Sequence, residues 1–186
     1  MKRQSLSRLA LLLCVIGAAS AARAETGYDL WLRYRPVETA WQARYARAAT
    51  VLVDGAHNPT LDVAEAELDR GLGGLLSATL RHGAAVQDGA IVFGTPRSSP
   101  VIARLDLPLT PAGAEGYMIR SVSVDGHPTT VIAANSDVGV LYGVFRYLTL
   151  LQTRQPIDHL NLASAPALQL RVLDHWDNLD LSLIHI

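Results

Sequence analysis

The stretch "GYMIRSVSVDGHPTTVIAANSDVGVLYGVFRYLTLLQ", residues 116–152, decides the fold. Residues 116–124 alternate partly between apolar and polar side chains. "DGHP" (125–128) supplies an Asp-Gly turn, and "TTVIAA" (129–134) returns as the second strand of a hairpin. "NSDVGVLYGVFRYLTLLQ" (135–152) then predicts a helix. Ser136 is placed to cap it, and Leu141, Val144, Phe145, Leu148 and Leu151 form one stripe at helical spacing.

Upstream the elements alternate in type. "ATVLVDG" (49–55) is a short β-branched run ending at a turn, which predicts a buried strand. Thr60 is a candidate N-cap for a helix in which Leu61, Ala64, Leu68, Leu72, Leu75, Leu76 and Leu80 share a face. Gly71, Gly73 and Gly74 each weaken that helix by roughly 1 kcal/mol relative to alanine. "AIVFG" (90–94) predicts a second buried strand. The order β-α-β-β-β-α describes a compact α/β unit with a mixed sheet. "TRQPIDHLNLASAPAL" (153–168) follows as a proline-containing linker, and "LQLRVL" (168–173) opens a new strand.

The N-terminus has the form of a secretory signal over residues 1–24. Lys2, Arg3 and Arg8 precede a short apolar run, and Ala22-Arg23-Ala24 offers a small-x-small cleavage site. That run falls short of the roughly 20 residues a bilayer span needs, so no membrane association is expected after cleavage. The signal takes four of the 16 basic residues and none of the 17 acidic ones, leaving the mature part at net −5. An acidic balance excludes a nucleic-acid partner, which demands concentrated basic charge. The only cysteine, Cys14, lies in the signal, so the mature chain has neither disulfide nor thiolate zinc site and must rely on a packed core. The expected location is the periplasm or the extracellular space.

Several motifs suggest chemistry that their context withholds. "GLGG" (71–74) follows the charged run "AEAELDR" rather than a strand, so it is no dinucleotide fingerprint. "FGTPRSS" (93–99) lacks the second glycine and the lysine of a phosphate loop and reads as a turn. "VDGAHNP" (53–59) resembles a segment of folylpolyglutamate synthases and Mur ligases, but those enzymes need a phosphate loop absent here. A strand, a glycine turn and a helix start account for the same letters. Six histidines without paired spacing predict no metal site and no cofactor; His57, His82 and His127 are expected in solvated loops.

Three segments agree on a family. "GYDLWLRYRPV" (27–37), "NSDVGVLYGVFRYLTLLQ" (135–152) and "LRVLDHWDNLD" (170–180) resemble, in order and spacing, bacterial α-glucuronidases of glycoside hydrolase family 67. The resemblance runs from about Glu25 to Asp180. It implies an N-terminal mixed-sheet α/β domain (25–152), then a linker and the first strand of a truncated (β/α)8 barrel (153–180). It also implies hydrolysis, by inversion, of the α-1,2 bond joining (4-O-methyl)glucuronic acid to xylo-oligosaccharides derived from glucuronoxylan. Whether the parent is a homodimer is left open.

Barrel enzymes place their sites at the C-terminal ends of the strands. If "LQLRVL" is the first of these, Asp174, His175, Trp176, Asp177 and Asn178 emerge at that face. An aromatic ring packs on the C–H face of a sugar while acids, amide and imidazole bond its hydroxyls. Trp176 is the leading candidate for lining a glucuronic acid pocket, with His175, Asp177 and Asn178 beside it. The bland alternative is a strand-end network with Trp176 capping the barrel core. Asp174 and Asp177 are poorly placed as an inverting acid/base pair, which must straddle the bond at roughly 6.5–9.5 Å. The resemblance places the catalytic carboxylates on later strands, so no catalytic residue is expected in this chain. Trp31 and Tyr34 are expected to pack the N-terminal domain, and Arg33 and Arg35 to be solvated or ion-paired.

"LSLIHI" (181–186) departs from the family pattern, and its reverse translation matches a common sequencing adapter. These six residues are therefore expected to be foreign to the gene, with the natural chain continuing past residue 180. Two classes of function stand: a secreted α-glucuronidase of which this is the inactive N-terminal fragment, or a non-catalytic α/β module that packs, binds or assembles.

Overall fold

A computed structural model describes residues 32–172 apart from 48, 50, 54 and 169. Its elements are α1 (Thr39–Tyr45), β1 (Val51–Val53), α2 (Pro59–Leu76), β2 (Arg81–Gly83), β3 (Ala90–Gly94), α3 (Pro100–Arg104), a 3-10 turn (Thr110–Ala112), β4 (Tyr117–Val124), β5 (His127–Ala134), α4 (Asp137–Gln152) and β6 (Asn161–Ser164). Among these residues no helix is long and apolar enough to cross a membrane.

The six strands form one sheet in the order β2-β1-β3-β5-β4-β6. β2, β1, β3 and β5 run parallel, while β4 is antiparallel to both β5 and β6. The expected mixed-sheet α/β domain is therefore present. The hairpin closes as the sequence predicts: Asp125 and Gly126 both have positive φ, 51° and 89°, as a two-residue turn with the twist of its strands requires. His127 and Pro128 belong to β5 rather than to the turn.

Both faces of the sheet are covered. On one, α4 lies over β5 and β4 and packs beside α2. Two glycines permit the close approach. A Cβ on Gly143 would come within 2.7 Å of Ile132 Cγ2, and one on Gly71 within 2.6 Å of Leu148 Cδ2. On the other face, Val53, Ala90, Val92, Val131 and Ala133 meet Ile102 of α3 and Leu109 in one apolar cluster. β1 and β3 are buried throughout, which explains their unbroken apolar runs.

Several expectations need correction. The N-cap of α2 is Asn58, whose side chain accepts from the Thr60 and Leu61 N–H groups, with Pro59 at the first helical position. The helix runs through its glycines to Leu76, where Ser77 adopts a left-handed conformation, so Leu80 lies outside it. Leu61, Ala64, Leu68, Leu72, Leu75 and Leu76 are all buried, and tertiary packing outweighs the glycine penalty. In α4 the buried face comprises Gly139, Val140, Gly143, Val144, Tyr147, Leu148, Leu150 and Leu151, with Leu141 and Phe145 at its margin. The stripe is rotated because small residues, not large ones, meet the sheet. Three elements within the first 152 residues add to the predicted order: α1; β2, too short and polar to register as a strand; and α3, capped by the Ser99 hydroxyl.

The supposed linker also contains structure. Ile157 and Leu160 are buried, and Asn161–Ser164 forms β6 along β4. Beyond it, residues 168 and 170–172 carry no strand, and Leu168, Leu170 and Val172 are 68%, 81% and 77% exposed.

Candidate functional site

The predicted pocket residues His175, Trp176, Asp177 and Asn178 lie outside the described residues, as do Asp174 and Trp31. The segment leading toward residue 174 can be followed to Val172. The Arg171 guanidinium donates to the Glu115 carboxylate and lies over the Tyr142 ring, 5.9 Å from its centroid. The Glu115 hydrogen bond raises the Arg171 pKa above the ordinary guanidinium value, so this side chain stays charged. Glu115, Tyr117, Tyr142, Ser164, Pro166 and Arg171 line an open cleft of about 420 Å³ at this exit. A cation–π contact and an ion pair, both partly exposed, direct the chain off the domain here.

The loops after the parallel strands form the other place where chemistry could gather, since α/β folds bind ligands at the C-terminal ends of strands. "VDGAHNP" and "FGTPRSS" meet there: the Ala56 N–H donates to the Ser98 carbonyl at 3.2 Å. Their serine hydroxyls and the Asn58 amide oxygen bond backbone N–H groups. Ser98 Oγ accepts from the Thr95 N–H at 2.8 Å, and Ser99 Oγ caps α3 at 3.4 Å. Asn58 caps α2 and also donates to Asp137 Oδ2 at 3.2 Å, joining the starts of α2 and α4. Ser136 Oγ accepts from the Gly139 N–H at 3.2 Å. Gly94, with φ 144°, makes the turn that brings Ser98 close. These hydroxyls and this amide hold helix ends and turns, as the sequence reading of both motifs expects.

The charged residues sort into surface pairs and one mixed cluster. Arg33 and Arg35 are exposed. Arg44 pairs with Asp158, Arg154 with Glu38, and buried Glu67 takes both contacts of the Arg70 Nη2 at 2.8 and 2.9 Å. Of the histidines expected in loops, only His57 is in one, 3.0 Å from Asp62. His127 opens β5 and lies 2.7 Å from Asp88. His82 is the middle of β2 and reaches Glu65 and Asp69. The Glu65–Asp69–His82 cluster was not legible from histidine spacing. Its signal is a pair of acids four apart on a helix, with a histidine 13 residues on across a turn.

The described region is an α/β domain whose sheet is covered on both faces and whose end loops cap its helices. Its sequence matches the model of "Glycosyl hydrolase family 67 N-terminus" over residues 30–147, and the chain belongs to that family. It is 28% identical over 177 residues to "Alpha-glucuronidase A" of Aspergillus tubingensis, covering 94% of this chain and 20% of that protein. It is 26% identical over 177 residues to "Probable alpha-glucuronidase A" of Aspergillus fumigatus (strain CBS 144.89), covering 92% of this chain and 20% of that protein. The chain thus spans about a fifth of the length of these relatives. Among solved structures, a family GH115 4-O-methyl-alpha-glucuronidase with specificity for decorated arabinogalactans shares the fold. The TM-score is 0.50 at 20% identity, over 64% of this chain and 18% of the other.

Proposed function

We propose that this chain is the N-terminal part of a secreted α-glucuronidase. The whole enzyme would remove (4-O-methyl)glucuronic acid from xylo-oligosaccharides at the α-1,2 linkage, with inversion. The observation that carries this reading is the family match over residues 30–147, which spans the described domain from α1 into α4. In this reading "LQLRVL" starts the catalytic barrel, Trp176 stacks on the uronate ring, and His175, Asp177 and Asn178 bond its hydroxyls. The exposed Leu168, Leu170 and Val172 agree with such a role, since a barrel strand finds its partners only in neighbouring strands. The acid and base carboxylates are assigned to later strands, and residues 1–186 are assigned no turnover of their own.

Proton NMR of the whole enzyme acting on an aldouronic acid tests the chemistry. Inversion delivers the β-anomer of the released uronic acid first, because water attacks from the face opposite the leaving xylose. Initial release of the α-anomer would refute inversion while leaving the glycosidase assignment standing.

A further inference from the structure

We propose that Glu65, Asp69 and His82 form a site for a divalent transition-metal ion of the Zn2+ type, clamping edge strand β2 to helix α2. Glu65 and Asp69 are four residues apart on α2, so their side chains leave the same face one turn apart. His82 stands in register with Leu52 of β1. Its Nε2 lies 3.0 Å from Asp69 Oδ1 and its Nδ1 3.2 Å from Glu65 Oε1. One ring nitrogen and one oxygen from each acid all lie within 4.8 Å of one another.

The geometry calls for a cation. A neutral imidazole has one N–H and one lone pair, so it can donate to only one of two carboxylates. The other nitrogen then faces an oxygen, lone pair against lone pair. A second ring proton removes that conflict, and so does a metal ion that takes one ring nitrogen and an oxygen from each acid, leaving the other nitrogen its N–H. Two carboxylates and a neutral imidazole give the metal −2 of ligand charge. Zinc bonds to nitrogen and carboxylate oxygen of about 2.0–2.2 Å place tetrahedral ligand atoms about 3.4 Å apart, so a set already gathered within 4.8 Å needs only small side-chain movements to close on the ion. One nitrogen and two oxygens suit Zn2+ better than Ca2+ or Mg2+, which take oxygen ligands. The side chains are 22%, 40% and 39% exposed, which leaves the remaining coordination position to water. Strand β2 has three residues and a single neighbour, so a clamp at its centre secures the least supported edge of the sheet.

The test titrates Zn2+ into the chelator-treated chain by calorimetry and follows Tm in parallel. Zn2+ is expected to bind and raise Tm by several degrees. His82→Ala and the isosteric double variant Glu65→Gln/Asp69→Asn are expected to weaken binding at least tenfold and to abolish the Tm rise. His57→Ala, which removes a more exposed histidine paired with Asp62, is expected to change neither. Comparison with the variants separates this site from other donors, including Cys14, and the isosteric variant decides the matter if His82→Ala does not fold. The proposal is overturned if both variants bind Zn2+ within twofold of wild type, or if about 1 mM Zn2+ leaves wild-type Tm unmoved. A clasp held by the ring proton alone would give variants whose Tm deficit is the same with and without Zn2+, and would equally overturn it.

Discussion

Gly71 and Leu148 compete for one space between α2 and α4, which makes their combined replacement unusually informative. A Cβ at Gly71 would lie 2.6 and 2.7 Å from the two Leu148 methyls, and Leu148 is 1% exposed. Gly71→Ala alone gains about 1 kcal/mol of helix propensity and loses about 1–3 kcal/mol to overpacking, for a net loss of about 0–2 kcal/mol. Leu148→Ala alone costs about 2–5 kcal/mol through lost burial and the cavity left behind. In the Leu148→Ala background the clash is gone. The Gly71→Ala methyl then keeps its propensity gain and adds about 0.8 kcal/mol of burial, so it stabilises by nearly 2 kcal/mol. The two changes should therefore be coupled by at least about 2 kcal/mol, in the sense of rescue. Urea unfolding of the four chains at 25 °C reads this directly from the midpoints, provided the slopes agree. If Gly71→Ala has the same effect in both backgrounds within about 0.5 kcal/mol, the helices do not pack in this register.

Three further outcomes follow from particular residues. Tyr147 is fully buried, with Thr130 nearby, and its hydroxyl has no hydrogen-bond partner of good geometry; burial pushes its pKa well above the ordinary phenol value. Tyr147→Phe should therefore be neutral or stabilising by up to about 1 kcal/mol in the same urea assay. Arg154 donates to both Glu38 oxygens at 2.9 and 3.1 Å, lowering the Glu38 pKa below its ordinary 4.5. A depressed carboxylate stabilises above the unfolded pKa and loses that contribution as pH falls through the folded one. The Tm difference between wild type and Glu38→Gln should thus be constant well above the ordinary carboxylate pKa and shrink as pH falls below it. In the whole enzyme, Trp176→Ala should lower kcat/KM on an aldouronic acid at least tenfold, about 1.4 kcal/mol, and an effect under twofold would remove Trp176 from the pocket.

Much of the domain was legible because its strongest signals are local. The Asp125-Gly126 turn specifies its hairpin by backbone conformation alone, and Ser136 ahead of an apolar periodic run marks the start of α4. The unbroken runs around Val51–Val53 and Ala90–Gly94 announce strands buried on both faces. What escaped depends on distant partners. β2, with the sequence Arg-His-Gly, is a strand only because β1 lies beside it. β6 hides in a stretch that resembles a linker, because β4 supplies its hydrogen bonds. The buried face of α4 is set by where Gly139 and Gly143 let it touch Ala134 and Ile132, which helical spacing of large residues does not reveal. At the candidate site the same division holds. The loops of "VDGAHNP" and "FGTPRSS" were legible as turns because their polar atoms bond their own neighbourhood. The Glu65–Asp69–His82 cluster was not, because only the α2-to-β2 return brings its members together.

The proposed function assigns catalysis to a part of the enzyme outside these 186 residues. The most direct measurement places the 186-residue chain and the whole enzyme side by side on one aldouronic acid and quantifies free uronic acid. Release by the whole enzyme and none by the 186-residue chain is the predicted result. Turnover by the chain alone, or a silent whole enzyme, would contradict it.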